Sequence, residues 1–158
     1  NRHNEIVVSV PLRVPPEQAD EFVRDKARWI EGVLERREED RRELEPLPGR
    51  EECRARLCSC VLRVYPLVES AGVRFPQIKI RSMKSQWGNC HWRQGYITLN
   101  TALARCPEAL RDYVALHELV HFLHHDHGPG FYARMTQLMP DWQARRQALR
   151  GCSWVLEA

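Results

Sequence analysis

The sequence predicts an α+β fold, in which a small antiparallel sheet packs on one central helix and a strand followed by a helix forms an N-terminal lobe. Three observations support this prediction. Segments 77–82 and 95–100 alternate apolar and polar residues with the period of two that is typical of strands. Several other segments carry apolar residues at helical spacing. One of them, 114–123, is apolar on nearly every side, which predicts a helix at the centre of the domain.

Composition and charge indicate a soluble globular protein. The 158 residues are 43% hydrophobic and 28% charged, and no apolar run approaches the ~20 residues that a membrane span needs. The net charge is only +3, and basic residues are interleaved with acidic ones, so we expect neither a membrane nor a nucleic acid as partner. The six cysteines are scattered without a CxxC pair, which predicts reduced thiols and a cytoplasmic location.

The first third of the chain predicts the N-terminal lobe. Residues 6–14 are rich in β-branched side chains and predict an edge strand interrupted by a proline. A helix follows directly after two prolines, and its apolar stripe includes Trp29, which we expect in the core. The sequence Pro-Leu-Pro-Gly at 46–49 then breaks the chain. We predict a boundary there between a lobe of residues 1–48 and a domain of residues 49–158, with one continuous domain as the alternative.

The middle of the chain predicts a further helix and then the two strands. The helix is expected to kink at Pro66. Its predicted buried face consists of Leu57, Cys60, Val61, Val64, Leu67 and Val68. The strands 77–82 and 95–100 are expected to pair antiparallel. Their connection is long for a hairpin and contains Trp87 and Trp92, which either serve function or close the edge of the core.

The last third of the chain predicts three helices. The first begins at Pro107, where a proline is favourable because the N–H that it lacks would have no helical partner. Gly128 and its neighbours end this helix. Two shorter helices, 131–139 and 142–150, then close the domain.

A histidine-rich run at 117–127 carries most of the functional information. His117 and His121 are four residues apart, so on a helix their imidazoles lie on one face and can bind a single ion. Glu118 stands next to the first histidine and can lie beside the metal. This HExxH pattern predicts a zinc site in which three protein ligands leave a position for water, and Glu118 takes the proton of that water.

The third ligand has several candidates. His127 comes where the helix must break, and a chain that turns back at Gly128 brings its ring over the first two. We therefore expect His127, in a spacing shared with metzincins, whose glycine position is occupied here by His124. His124 and His125 lie further along the helix axis, which makes simultaneous reach awkward. Asp141 is the downstream acid at a plausible distance and, with His124, remains an alternative.

Several segments together give the sequence a family resemblance. They are RSMKSQWGNC at 81–90, GYITLN at 95–100, Tyr113-Val114 before the HExxH motif, and His127 followed by Phe131. A weaker likeness covers residues 22–30. With these segments the chain resembles the YgjP-like metallopeptidase domain family, small bacterial proteins of the zincin type. It departs from the family at Asn89, where a serine is common, and at His91, where a small polar residue is common.

The resemblance implies a zincin-like fold with zinc held by His117, His121 and His127. It also implies that Glu118 is the catalytic residue of a peptidase. In the zincin arrangement an exposed strand beside the motif helix pairs with an extended substrate. Here that strand is 95–100.

The function that we predict is a zinc-dependent hydrolase, specifically a metallopeptidase with a peptide or protein substrate. The metal polarises the scissile carbonyl, while Glu118 deprotonates the water and later protonates the leaving amine. Arg81 and His91 are candidates to stabilise the oxyanion, because a hairpin would bring them close to the site.

Two other functions remain open. A metal-dependent hydrolase of nucleotide phosphoanhydrides would use Lys79, Arg81 and Lys84 to bind phosphate. A zinc-stabilised binding module without catalysis would close the coordination shell with a fourth protein ligand, such as His124 or Asp141.

Overall fold

The chain divides into two compact units, residues 1–44 and residues 45–156. A computed structural model describes residues 9–11, 13–42 and 46–152, without the side chains of residues 37–42. The predicted boundary after residue 48 stays a prediction, and the two units are described in turn.

The first unit contains two consecutive helices, α1 (Pro16–Asp25) and α2 (Ala27–Arg42). This confirms a helix after the two prolines, although it is broken at Lys26. Of the predicted strand at 6–14, residues 6–8 and 12 lie outside the described residues, and residues 9–11, 13 and 14 form no strand. The expectation that Trp29 belongs to the core is wrong, because its side chain is 65% exposed. Helical spacing is enough to form a stripe, but burial needs a packed surface opposite it, and α1 itself buries no residue.

The second unit begins with α3 (Arg50–Val64) and the single turn α4 (Pro66–Glu69). The predicted break at Pro66 is confirmed. Five of the six residues of the predicted face are buried, namely Leu57, Cys60, Val61, Val64 and Val68. The prediction that Leu67 is buried is wrong, because its side chain is 41% exposed. Leu67 and Val68 are adjacent on the helix, so only one of them can face the core.

Three strands form one sheet in the order β1, β3, β2, and these are β1 (Gln77–Arg81), β2 (Gly88–His91) and β3 (Tyr96–Asn100). β2 pairs with β3 antiparallel through a 3₁₀ turn at Trp92–Gln94, whereas β1 pairs with β3 in parallel. The predicted antiparallel pairing of β1 with β3 is therefore wrong. The long connection supplies its own strand, which occupies the hairpin position beside β3 and leaves the other edge to β1.

The connection before β2 is fixed by the side chain of Asn100, which is 1% exposed. Its amide nitrogen donates to the carbonyl oxygens of Met83 and Gln86, both at 2.7 Å. Its amide oxygen accepts from the backbone N–H of Ala102 at 3.1 Å. Its backbone N–H also donates to the carbonyl of Trp87 at 2.9 Å. One buried amide thus holds the start of β2 against the end of β3.

The motif helix α5 (Glu108–Val120) lies at the centre of the unit and packs against α3, β2 and β3. Two closing helices, α6 (Pro129–Leu138) and α7 (Trp142–Gly151), pack on it as well. The buried residues of α5 are Leu110, Tyr113, Val114, Ala115, Leu116, Glu118, Leu119 and Val120. The prediction of a central helix beside a small sheet is confirmed, as are the two closing helices.

Cys53, Cys58, Cys60, Cys90 and Cys106 are thiols outside any disulfide, and three of them, Cys53, Cys60 and Cys106, are buried. Burial is the main cause that raises the pKa of Cys60 and Cys106 to about 12, so these thiols stay protonated and inert. Among the described residues no helix is long and apolar enough to span a bilayer. The cytoplasmic location stays a prediction.

Candidate metal centre

Three imidazoles meet where α5 ends. His117 lies in the last turn of α5 and His121 directly follows that helix, so the two rings lie one turn apart, edge to face, with centroids separated by 5.0 Å. The chain then turns back and brings the Nε2 atom of His127 to 2.9 Å from Nε2 of His117. One ring nitrogen from each residue lies within 4.8 Å of the other two. Of the third-ligand candidates, the structure therefore brings His127 to the pair.

The backbone after α5 orients one of these rings. Nδ1 of His121 lies 3.0 Å from the carbonyl oxygen of His124. Because a carbonyl can only accept, Nδ1 carries the hydrogen, which leaves the lone pair of Nε2 free for a metal. His124 contributes to the site through its backbone, and its ring lies instead against Gly130.

Phe131, at the start of α6, forms the floor of the cluster. Its side chain is 1% exposed, and its ring centroid lies 4.6 to 4.9 Å from those of His117, His121 and His127. One buried aromatic ring thus contacts all three imidazoles. This contact explains in physical terms why a phenylalanine four residues after His127 accompanies the motif.

The donor set fits a zinc ion. Zinc takes histidine nitrogens at about 2.0–2.1 Å in tetrahedral geometry, so two ligand atoms stand roughly 3.3 Å apart. The 2.9 Å between His117 and His127, and the 4.8 Å limit for the whole cluster, require only small side-chain rotations. Burial lowers the pKa of His117 to about 3, with smaller contributions from nearby charges including Arg146, so this imidazole is neutral as a ligand must be.

Glu118 belongs to α5, and its side chain lies against Gly88, the first residue of β2. Its side chain is 6% exposed, and burial raises its pKa to about 8. A Cβ atom at Gly88 would lie 2.6 Å from Oε1 of Glu118 and 2.8 Å from its Cγ. Only a glycine at this position lets the strand approach the carboxylate so closely.

Two cavities open on the two sides of Glu118. The histidine cavity has a volume of about 280 Å³ and is lined by the three histidines together with β2 and Trp92. The arginine cavity has a volume of about 560 Å³ and is lined by Arg146 and Arg150 of α7 and by the segment before β2. The residues common to both are Gln86, Gly88, His117 and Glu118.

The remaining candidates lie elsewhere. Arg81 is exposed at the end of β1, the strand on the far side of β3 from β2, and lines a separate cavity beside Arg54. His91 stacks on Tyr96 of β3 with centroids 4.3 Å apart and lines neither cavity at Glu118. Arg81 and His91 were expected near the site because β1 and β3 were predicted to form a hairpin. The two strands pair in parallel, so they form no hairpin. The carboxylate of Asp141 forms an ion pair with Arg145, with 2.9 Å between Oδ2 of Asp141 and Nε of Arg145.

Sequence reasoning missed two features of the site. Arg146 and Arg150 are four residues apart on α7, a spacing that sequence alone cannot distinguish from a solvated helix face. Trp92 stacks on His125 with centroids 3.7 Å apart and planes 6° from parallel. His125 in turn hydrogen-bonds through Nδ1 to the carbonyl of His121 at 3.1 Å, so the turn before β3 contacts the loop that carries the histidines.

Comparisons with known proteins bear on the family and the fold. The family model described as YgjP-like, metallopeptidase domain, matches residues 49–151. The fold is also similar to that of the metallopeptidase zymogen jannalysin from Methanocaldococcus jannaschii, with a TM-score of 0.51 and 20% sequence identity over 60% of this chain and 94% of that one. This likeness confirms the predicted zincin-like α+β fold. No curated protein matches the sequence significantly.

The first prediction concerns the ligands. Replacing His127 by Ala should weaken zinc binding by more than about 100-fold, which exceeds the usual cost of losing an outer partner. His124→Ala and Asp141→Asn are the matched controls and should bind zinc as the parent does, because the former keeps its carbonyl and the latter stands outside the cluster. Competition with a chromophoric chelator measures the affinity. A His124→Ala protein that bound zinc as weakly as the His127→Ala protein would contradict this ligand set.

The second prediction concerns pH in the metal-free protein. Glu118 binds its proton more tightly in the folded state, where its pKa is about 8, than in the unfolded chain, near 4.5. The contribution of Glu118 to the free energy of unfolding should therefore fall as pH rises between these values, by at most about 1.4 kcal/mol per pH unit, and level off above them. In the Glu118→Gln variant this pH-dependent loss of stability should be absent, because the amide does not titrate.

Urea unfolding of chelator-treated protein from pH 4 to pH 9 provides the measurement. The stability advantage of Glu118→Gln over the parent should grow up to about pH 8. The exposed Glu69→Gln change is the control for removing one carboxylate from the surface. An advantage of Glu118→Gln that does not change with pH would contradict the raised pKa.

Proposed function

Because the chain belongs to the YgjP-like metallopeptidase domain family, a family of metal-dependent peptidases, we propose that it is a zinc peptidase with Glu118 as its general base. The observation that carries the proposal is the geometry around one carboxylate. Glu118 is buried beside three imidazoles whose nitrogens lie within 4.8 Å of one another, and an open cavity adjoins them. Three nitrogen ligands and an open position are the arrangement of catalytic rather than structural zinc.

The roles of the residues follow from their chemistry. His117, His121 and His127 would hold the ion, which when bound supplies a Lewis acid that polarises the scissile carbonyl and acidifies water. Glu118 accepts the proton of the attacking water and passes it to the nitrogen of the leaving amine. A nearby dication favours the ionised carboxylate, which brings the pKa of Glu118 down from about 8 toward the range of a base at neutral pH.

The non-catalytic alternative requires a fourth protein ligand, and both of its candidates have other contacts. The carbonyl of His124 accepts from His121 while its ring lies at Gly130, and Asp141 pairs with Arg145. This favours an open coordination shell and hence an enzyme.

The nucleotide alternative loses its proposed phosphate contacts. Nζ of Lys79 lies 3.3 Å from the centroid of the Tyr96 ring, and Arg81 lines a cavity on the far side of the sheet. Neither residue, nor Lys84, lines a cavity at Glu118. A peptide substrate is therefore the better supported of the two.

The prediction of which strand pairs with the substrate needs correction. Residues 95–100 were expected to pair with an extended peptide, but β3 is bonded to β1 on one side and to β2 on the other and has no free edge. β1 and β2 are the two edge strands, and three of the four residues of β2, namely Gly88, Asn89 and Cys90, line the histidine cavity. We therefore assign the pairing of the peptide backbone to β2.

The proposed function is tested by Glu118→Gln in zinc-loaded protein. Loss of a general base typically costs 10²- to 10⁴-fold in rate, so the variant should cleave a quenched fluorescent peptide library by roughly that factor more slowly than the parent, with its zinc content unchanged. Chelation should abolish cleavage by the parent, and added zinc should restore it. A Glu118→Gln protein that kept its zinc and cleaved at the parental rate would exclude Glu118 as the base.

A second variant tests the position of the carboxylate. In Gly88→Ala the new Cβ would collide with Glu118, so the side chain must move, and kcat should fall at least about tenfold while zinc remains bound. Gly49→Ala is the matched control, because a Cβ there meets no atom within 4 Å, and it should keep the parental rate. Equal rates in the two variants would show that this close approach does not limit catalysis.

A further inference from the structure

The arginine cavity carries positive charge that the described chain does not neutralise. Arg146 and Arg150 lie one turn apart on α7 and both line this cavity. Within residues 46–152 neither guanidinium forms an ion pair, whereas the adjacent Arg145 pairs with Asp141 and donates to the carbonyl of Ala109 at 3.0 Å. Two neighbouring cations that face one cavity favour an anion between them.

The walls of the cavity narrow the choice of anion. Trp87, Tyr113, Val114 and Leu149 contribute apolar surface, and Glu118 is the one acid among the described lining residues. An anion carried on an apolar or peptidic stem fits such walls better than a free inorganic ion. A volume of about 560 Å³ lies within the range of pockets that hold small organic ligands.

We propose that Arg146 and Arg150 bind a carboxylate of the substrate on the C-terminal side of the scissile bond. This inference rests on the proposed peptidase function and assigns its specificity. The carboxylate is either the C-terminus of the peptide or the side chain of an aspartate or glutamate, and both are matched by the planar fork of an arginine.

The direction of the peptide follows from charge. β2 starts at Gly88, which lines both cavities, and ends next to Trp92, which lines only the histidine cavity. A peptide paired with β2 therefore has one end in each cavity. The two arginines repel an N-terminal ammonium and attract a C-terminal carboxylate. The C-terminal part thus lies in the arginine cavity, which makes the peptide antiparallel to β2.

The experiment compares matched peptides that differ in one charge. One pair has the same sequence with a free C-terminal acid or a C-terminal amide, and a second pair is amidated and carries Asp or Asn after the scissile bond. In the parent, kcat/KM should be about tenfold higher for the acidic member of at least one pair, the range expected for charge-assisted hydrogen bonds at a partly exposed site. The pair that shows the preference identifies the source of the carboxylate.

Four variants locate the effect. Arg146→Gln and Arg150→Gln should each reduce the acid preference, and the double variant should bring it close to one. Arg145→Gln removes the same charge from the same helix outside the cavity, and it should keep the parental preference. Thermal unfolding verifies that all four variants are folded.

Binding is measured separately, by calorimetry of the same peptides with zinc-loaded Glu118→Gln protein. If the parent cleaves peptides but prefers neither acid, the carboxylate site is wrong and the proposed function stands. If no peptide is cleaved, the proposed function is wrong, and equal binding of acid and amide then overturns the carboxylate site as well. Tighter binding of inorganic phosphate than of the peptide acid would also overturn it. An acid preference, in cleavage or in binding, that Arg146→Gln reduces supports the carboxylate site.

Discussion

The close approach of Gly88 to Glu118 is the contact on which the candidate site depends. It brings an edge strand against the last turn of the motif helix, at a distance that no side chain larger than hydrogen allows. The same contact buries the carboxylate and raises its pKa, and it leaves a cavity on each side of Glu118. The proposed base, the candidate metal ligands and the proposed peptide-binding edge are thus related through one pair of residues, and the Asn100 side chain holds the strand that makes the contact.

The histidine cluster is organised by backbone and packing more than by side-chain hydrogen bonds. Phe131 supports all three rings from below, and a main-chain carbonyl selects the tautomer of His121. Trp92 reaches the same loop through His125. These contacts hold the imidazoles together before any ion binds, which reduces the ordering that binding must impose.

The sequence predicted the central helix and the approach of His127 well, because helical periodicity acts locally. It was wrong to place the end of that helix at Gly128, since α5 already ends at Val120. It located β1 and β3 to within a residue at each end. The predicted antiparallel pairing of these two strands was wrong, since alternation carries no information on strand direction. β2 went unrecognised because Gly88-Asn89-Cys90-His91 lacks an apolar alternation. The predicted burial of Trp29 was wrong because an apolar stripe is buried only where a packed surface lies opposite it. Arg146 and Arg150 were not recognised as site residues because arginines spaced i,i+4 are equally typical of a solvated helix face.

The shortness of β2 has a consequence for the behaviour of the protein in solution. An open sheet edge that can pair with a peptide can equally pair with another copy of the chain, and long flat edges are sites of aggregation. Here the edge has four residues, bounded by the loop that Asn100 holds and by the turn at Trp92–Gln94. That length permits a few backbone hydrogen bonds with an extended segment, yet it offers little for self-association. An edge of this size can stay open for binding without becoming a nucleus for fibrous assembly.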